Sequence, residues 1–191
     1  MSTTNPCADS IPDLDGAFNF CAPNFVFGEI EEIIVAPLET EAGDPFPSDW
    51  SDETAWDALL APSGSDPVAF KIPVRGSIDE PDRPEVEASL YRKAYPPKRY
   101  TLTSAVDDLT DKTYDGMRDM QNKRIRVWWT SGGYLFGLEE GIEADVDSWL
   151  TIEEGEDSMH KYHINLTWRS KTAPKRVVSP FEPVEPTGTS V

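Results

Sequence analysis

Between Arg99 and Gly137 the hydrophobic period changes twice, and this constrains the fold more than any other part of the chain. Tyr100, Leu102 and Val106 alternate with Arg99, Thr101 and Thr103, the period of two expected of a half-buried strand. Tyr114, Met117 and Met120 then fall on one side of a short helix that starts at Thr110 or Asp111. Either residue can accept hydrogen bonds from the free amides of the first turn. Asn122 is suited to close that helix in a left-handed conformation. The period of two returns in KRIRVWWT, with Ile125, Val127 and Trp129 on one face and Arg126, Trp128 and Thr130 on the other. Ser131-Gly132-Gly133 supplies the positive φ values of a hairpin turn, and Tyr134–Gly137 follows as its second strand.

The same alternation recurs elsewhere. Residues 25–36 read as a strand with Phe25 and Phe27 on one face, Ile33 and Val35 sharing a face, and Ile30 and Ile34 opposite. That pattern requires either two partly buried faces or a bulge near Gly28. Ser51 is placed to cap a short helix whose apolar side is Trp56, Leu59 and Leu60, stopped by Pro62 and lying over the sheet as a plug or lid. Residues 68–74 form a strand in which Pro73 calls for an edge or an outward-facing amide. The loop 76–85 is charged, broken by prolines and expected to be mobile in a monomer. Val86, Ala88 and Leu90 suggest another strand, followed by a basic and aromatic loop around Tyr91, Arg92, Lys93, Tyr95 and Lys98. Ile142 to Ile152 alternates apolar residues with acids, and Tyr162, Ile164, Leu166 and Trp168 form a last strand.

About seven to eight strands without βαβ alternation imply a mainly β fold, an antiparallel β-sandwich or barrel with one or two short helices. Residues 25–168 form the domain. Residues 1–24 read as an irregular amino-terminal arm, and 169–191 as an extended arm that orders only against something else.

Charge is unevenly placed. Residues 1–60 hold thirteen carboxylates and no lysine or arginine. The other 131 residues carry 22 carboxylates against all 17 basic residues, a balance of -5 within a total of -18. Such a field disfavours adhesion to nucleic acid phosphates, which requires cationic side chains. Solubility and acidic loops explain it plainly. A wall past which a nucleic acid slides without sticking explains it more sharply. No apolar run reaches the roughly 18 residues of a membrane span, and MSTTNPCADS has neither the basic nor the apolar part of a secretory signal, so a cytosolic product is expected. Cys7 and Cys21 read as reduced thiols, although their pairing would close a short loop.

Catalytic patterns are missing. There is no phosphate-cradling G-x-x-x-x-G-K-[ST] and no G-x-S-x-G elbow, and Gly132-Gly133 alone signals a turn. His160 and His163 lead into a strand that separates them, so they are read as structural or exposed rather than as metal ligands. Asp107, Asp108, Asp111 and Asp115 lack the central glycine and closing glutamate of a calcium loop, and sit where helix-start acids are useful. No cofactor, metal or catalytic residue is assigned, and no enzyme activity is expected. Gly116 is explained by close approach of a neighbouring chain or by tolerance of a weak helix.

The strand, helix, strand and Gly-Gly hairpin of Arg99–Gly137, with the strand at Ile142–Ile152, resemble the tail tube proteins of tailed phages. The resemblance covers about two-thirds of the chain as architecture. It implies a virion structural protein, assembled in the host bacterial cytoplasm, whose subunits close into rings through their sheets and stack through loops and arms. Its partners are copies of itself and other tail or connector proteins. DNA passes the acidic lumen without tight binding, and no membrane is involved. On this reading Trp128, Trp129, Tyr134 and Phe136 are candidates for the subunit interface, and Glu29, Glu31 and Glu32 for the acidic lumen. A head-tail connector or a capsid decoration protein are neighbouring readings. A carbohydrate- or protein-binding β-sandwich module, with Trp128, Tyr134 and Phe136 as its platform, is the reading from a different class.

Overall fold

The computed structural model describes residues 29–39, 46–61, 67–82, 86–89, 92–94, 96–106, 110–152 and 161–181. Its elements are β1 (Ile30–Pro37), α1 (Glu53–Leu60), β2 (Phe70–Ile78), β3 (Val86–Ser89), β4 (Arg92–Ala94), β5 (Lys98–Val106), α2 (Asp111–Met120), β6 (Arg124–Ser131), β7 (Tyr134–Gly137), β8 (Ile142–Thr151), β9 (Lys161–Ser170) and β10 (Lys175–Val178). The main sheet runs β1-β2-β5-β9-β8-β6-β7-β10, and β1 also pairs with β6. That extra pairing closes six antiparallel strands into a barrel. Strands β7 and β10 branch away from it, and β3–β4 form a separate hairpin. The expected antiparallel β architecture is therefore a barrel.

Strand β6 makes both closure and branching possible. On one side it pairs with β1 from Ile125 to Ser131. On the other, Arg124–Val127 pair with β8, and Trp129–Ser131 pair with β7. The hairpin to β7 is the expected two-residue turn, with Gly132 at φ 56° and Gly133 at φ 78°. Ile125, Val127 and Trp129 face the barrel interior with Tyr100, Leu102, Val106, Ile164, Leu166 and Trp168.

The opposite face is also covered. Ile34, Ala36, Trp128 and Leu135 form a second core on the outside of the barrel, with Trp50, Trp56, Ala69 and Phe181. The lid over this face is α1, whose Trp56 ring meets Trp128 edge-on at 5.1 Å and Phe181 at 5.6 Å. Strand β1 has two buried faces, one of the two features its pattern allowed. Gly28, where a bulge was the alternative, lies outside the described residues. An irregularity falls instead between Ile30 and Glu32 and returns Ile30 to the interior.

Helix α2 plugs the barrel end where β5 finishes and β6 begins, inserting Met117 and Met120. Asn122, at φ 60°, ends it as expected, and the Asn122 amide donates to the Val146 carbonyl. Thr110 stands at its start, but no side-chain cap bond forms there. In α1 the cap lies one residue later than expected. The Ser51 amide and hydroxyl both donate to Asp49 Oδ1, so Asp52 takes the cap position and accepts from the Thr54 amide.

Pro73 lies where β2 pairs with β1 alone, since β5 joins β2 only from Arg75 onward. The segment after Ile78 stays against β5. Asp79 donates to the Thr101 carbonyl, and Asp82 and Arg99 exchange backbone bonds. The carboxy-terminal boundary also differs from the expected arm at 169. β9 continues to Ser170, β10 pairs with β7, and Phe181 is buried in the second core, so the chain orders against itself through 181. Expectations for residues 1–28, Pro62, 83–85, Leu90, Tyr91, Tyr95, 107–109, 153–160 and 182–191 lie outside the described residues.

Candidate functional site: an open strand edge and an aromatic barrel mouth

A closed barrel has no free ladder, so its open backbone edges are few and informative. In the main sheet the edge is β10, whose one partner in the sheet order is β7. The Ser179 amide donates to the Gly133 carbonyl. With antiparallel alternation and the register Val178↔Tyr134 and Val177↔Leu135, the amides of Val178 and Arg176 therefore point away from β7. Val178 is 73% exposed, and Arg176 lies over the Tyr134 ring at 4.4 Å. The edge is also the basic part of the chain. From Lys161 to Phe181 there are five lysines and arginines and no carboxylate.

The second feature is the barrel end where β1 and β5 begin and β2 and β9 finish. A cleft of about 870 Å³ opens there, lined by Glu29, Ile30, Gly76–Ile78, Tyr100, Trp129, Ser131, Phe136, Ala173 and Pro174. Three of its lining residues, Tyr100, Trp129 and Phe136, belong to a row of four rings completed by Trp168 behind them. Tyr100 stacks on Trp168 at 5.3 Å, Trp168 meets Trp129 at 5.4 Å, and Trp129 stacks on Phe136 at 5.9 Å. Gly76 permits the close approach of β2 to β5 beside this cleft, since a Cβ there would lie 2.7 Å from the Thr103 carbonyl oxygen and 2.8 Å from Ser104 Cβ. Within the row, the Trp168 indole nitrogen is buried without a hydrogen-bond partner.

No protein-family model matches this chain, and comparison with curated proteins and with solved structures finds no match. Its geometry and chemistry carry the functional reading.

The residues expected at a subunit contact are divided by the fold. Trp128 and Trp129 are 0% and 2% exposed, because β6 has a core on each face, so neither presents a surface to a partner. The Trp128 indole N–H donates to the Leu138 carbonyl at 2.8 Å. Tyr134 and Phe136 are half-buried. Phe136 belongs to the mouth and Tyr134 lies beneath Arg176, so Trp128, Tyr134 and Phe136 do not form one binding platform.

The expected acidic group is divided too. Glu29 lines the mouth, Glu31 sits in the β1 irregularity, and Glu32 lies 3.9 Å from the Lys71 ammonium. A more regular acid row is Glu143, Asp145 and Asp147, all exposed on the outer face of β8. Arg124 approaches the first two at 3.6 and 3.8 Å. The alternation of Ile142–Ile152 had carried that signal.

Among the described residues no cluster of histidine, cysteine or carboxylate side chains is arranged to hold a metal. His163 stacks on Trp149 at 5.3 Å, Asp115 pairs with Arg118 at 3.3 Å, and His160, Cys7 and Cys21 lie outside the described residues. No helix among them is long and apolar enough to cross a membrane.

Proposed function

We propose that this chain is a self-assembling structural subunit that builds rings or a tube of the kind found in phage tails. The open edge of β10 carries this reading. It offers outward amides on a strand with an exposed valine, at the end of the strand order of the main sheet. Edge pairing with a second copy would satisfy those groups, and strand addition is a recurrent basis of specific association. Charge supports the same geometry. A basic stretch at 161–181 and an acidic first third favour head-to-tail contact between unlike surfaces, which closes into a ring when the rotation permits. The separate β3–β4 hairpin is the element we assign to contact between layers. The acid row of β8 is the face best suited to a DNA passage, because carboxylates there repel phosphates without binding them.

The test is light scattering across protein concentration, with negative-stain images, on the intact chain and on Val178→Pro. Proline at 178 removes an outward donor while leaving the β7 ladder intact. The intact protein is expected to form rings or tubes as concentration rises. Val178→Pro is expected to remain a monomer with an unchanged circular dichroism spectrum. An intact chain that stays monomeric overturns the proposal, and a variant that assembles like the parent overturns the role of this edge.

A further inference from the structure

We infer that the cleft between α2 and the start of β2, at the barrel end opposite the aromatic mouth, binds a linear amphiphile with a carboxylate head, such as a medium-chain fatty acid. The cleft exists because the barrel wall parts there. Strand β2 pairs with β1 as far as Phe70, but with β5 only from Arg75 onward, and β5 ends at Val106. Helix α2 closes the gap incompletely. A cavity of about 570 Å³ remains, with Phe70, Ile72, Val106, Met117 and Met120 among its apolar walls. Its size and lining are those of a small-molecule site.

Two features distinguish it from a packing defect. Gly116 stands inside α2, where glycine is the weakest helix former after proline. A Cβ there would meet nothing within 4 Å, so no neighbour in the chain requires the glycine. Its bare backbone lines the cleft, and an occupant lying against that backbone does require it. The walls are also adaptable. Met117 and Met120 are unbranched and polarisable, able to follow the shape of an alkyl chain, and Phe70 is half exposed at the lip, where such a chain would cover it.

Charge identifies the head group. Lys71, Asp119 and Lys123 are the charged residues of the lining. The Lys71 ammonium is engaged elsewhere, 3.4 Å over the Phe181 ring of the outer core and 3.9 Å from Glu32. Asp119 lies 3.8 Å from the Arg118 guanidinium. Lys123 has no ion-pair partner among the described residues. Its backbone is fixed, because its amide donates to the Met120 carbonyl and its carbonyl accepts from the Val146 amide. An ammonium held beside an apolar cleft suits a carboxylate whose chain lies along the methionines. The site uses α2 and β2 and not the edge of β10, so the inference stands independently of the assembly reading.

The experiment titrates the full chain, labelled at its methionine methyl carbons, with decanoate below its micelle concentration. Saturable shifts of the Met117 and Met120 methyl signals are expected, and acetate, which has the head without the chain, is expected to move neither. Decyltrimethylammonium is expected to bind more weakly than decanoate. In Gly116→Leu the saturable shifts are expected to be lost at unchanged circular dichroism. In Lys123→Gln the affinity for decanoate is expected to fall about three-fold, the scale of an exposed ion pair. Absence of saturable shifts in the parent, or equal binding by Gly116→Leu, would overturn the inference. Tighter binding of the cationic amphiphile, or an unchanged affinity in Lys123→Gln, would overturn the assignment of the head group. Methyl signals that broaden with protein concentration alone, and sharpen in Gly116→Leu, would give the cleft to a second copy and overturn the inference as well.

Discussion

Trp128 stands between two glycines, and each is there because nothing larger fits. A Cβ on Gly141 would lie 2.6 Å from Trp128 Cζ2, and one on Gly137 2.7 Å from Cδ1. Gly141 also has φ 77°, so Gly141→Ala combines overpacking of a fully buried ring with left-handed strain. Together these should lower stability by about 2–4 kcal/mol in urea denaturation. A smaller titration effect belongs to Asp49. Its carboxylate is held below the ordinary aspartate range by the Ser51 hydroxyl first and the Ser51 amide second. A lowered folded-state value means stabilisation that is present above the ordinary value and lost as pH falls through the lowered one. In Ser51→Ala the Asp49 midpoint, followed by NMR, should rise toward the ordinary value; an unmoved midpoint would exclude the hydroxyl as the cause. Residue patterns told how the Trp pair divides between faces, but not that both faces are covered. The covering groups, Trp56 and Phe181, are 72 and 53 positions from Trp128, where local period says nothing.

At the scale of elements, α2 offers the cleanest test of a residue whose purpose the sequence left open. A Cβ at Gly116 would meet nothing within 4 Å, so helix propensity alone should decide the sign. Gly116→Ala is expected to raise the stability of the monomer by about 0.5–1 kcal/mol. If the variant is more stable yet fails to assemble, a neighbouring subunit approaches the helix there; if it is less stable, the open space is occupied in solution. The helix itself was legible, down to its left-handed end at Asn122, because cap chemistry is local. The start of α1 was legible to within one residue. Ser51 and Asp52 are both good caps, and the competing bonds from Ser51 to Asp49 decide between them. Strand β10 was not legible. The four residues of β10 are too few to establish a period, and the exposed Val178 fits no buried face. The candidate edge and the aromatic mouth were missed for the same reason, since each is defined by neighbours distant in sequence.

For the molecule as a whole, the period-two segments announced an antiparallel β fold but not its closure. Closure depends on β1 finding β6, about ninety residues away in the chain, with Ile33 opposite Trp129 and Val35 opposite Val127. Once formed, that pairing leaves β6 contributing Ile125, Val127 and Trp129 to one core and Trp128 to the other. Loosening either core exposes a strand on which the second depends, so the two cannot open as separate cooperative units. Amide hydrogen exchange should register this directly. The backbone protons of β6 and of its partner stretch in β1 are expected to exchange only through global unfolding, with equal free energies whichever core a side chain serves. A protection pattern in which the residues flanking Trp128 opened earlier than those flanking Val127 would show that the barrel and its outer layer are separable. A shared strand thus makes two cores thermodynamically one.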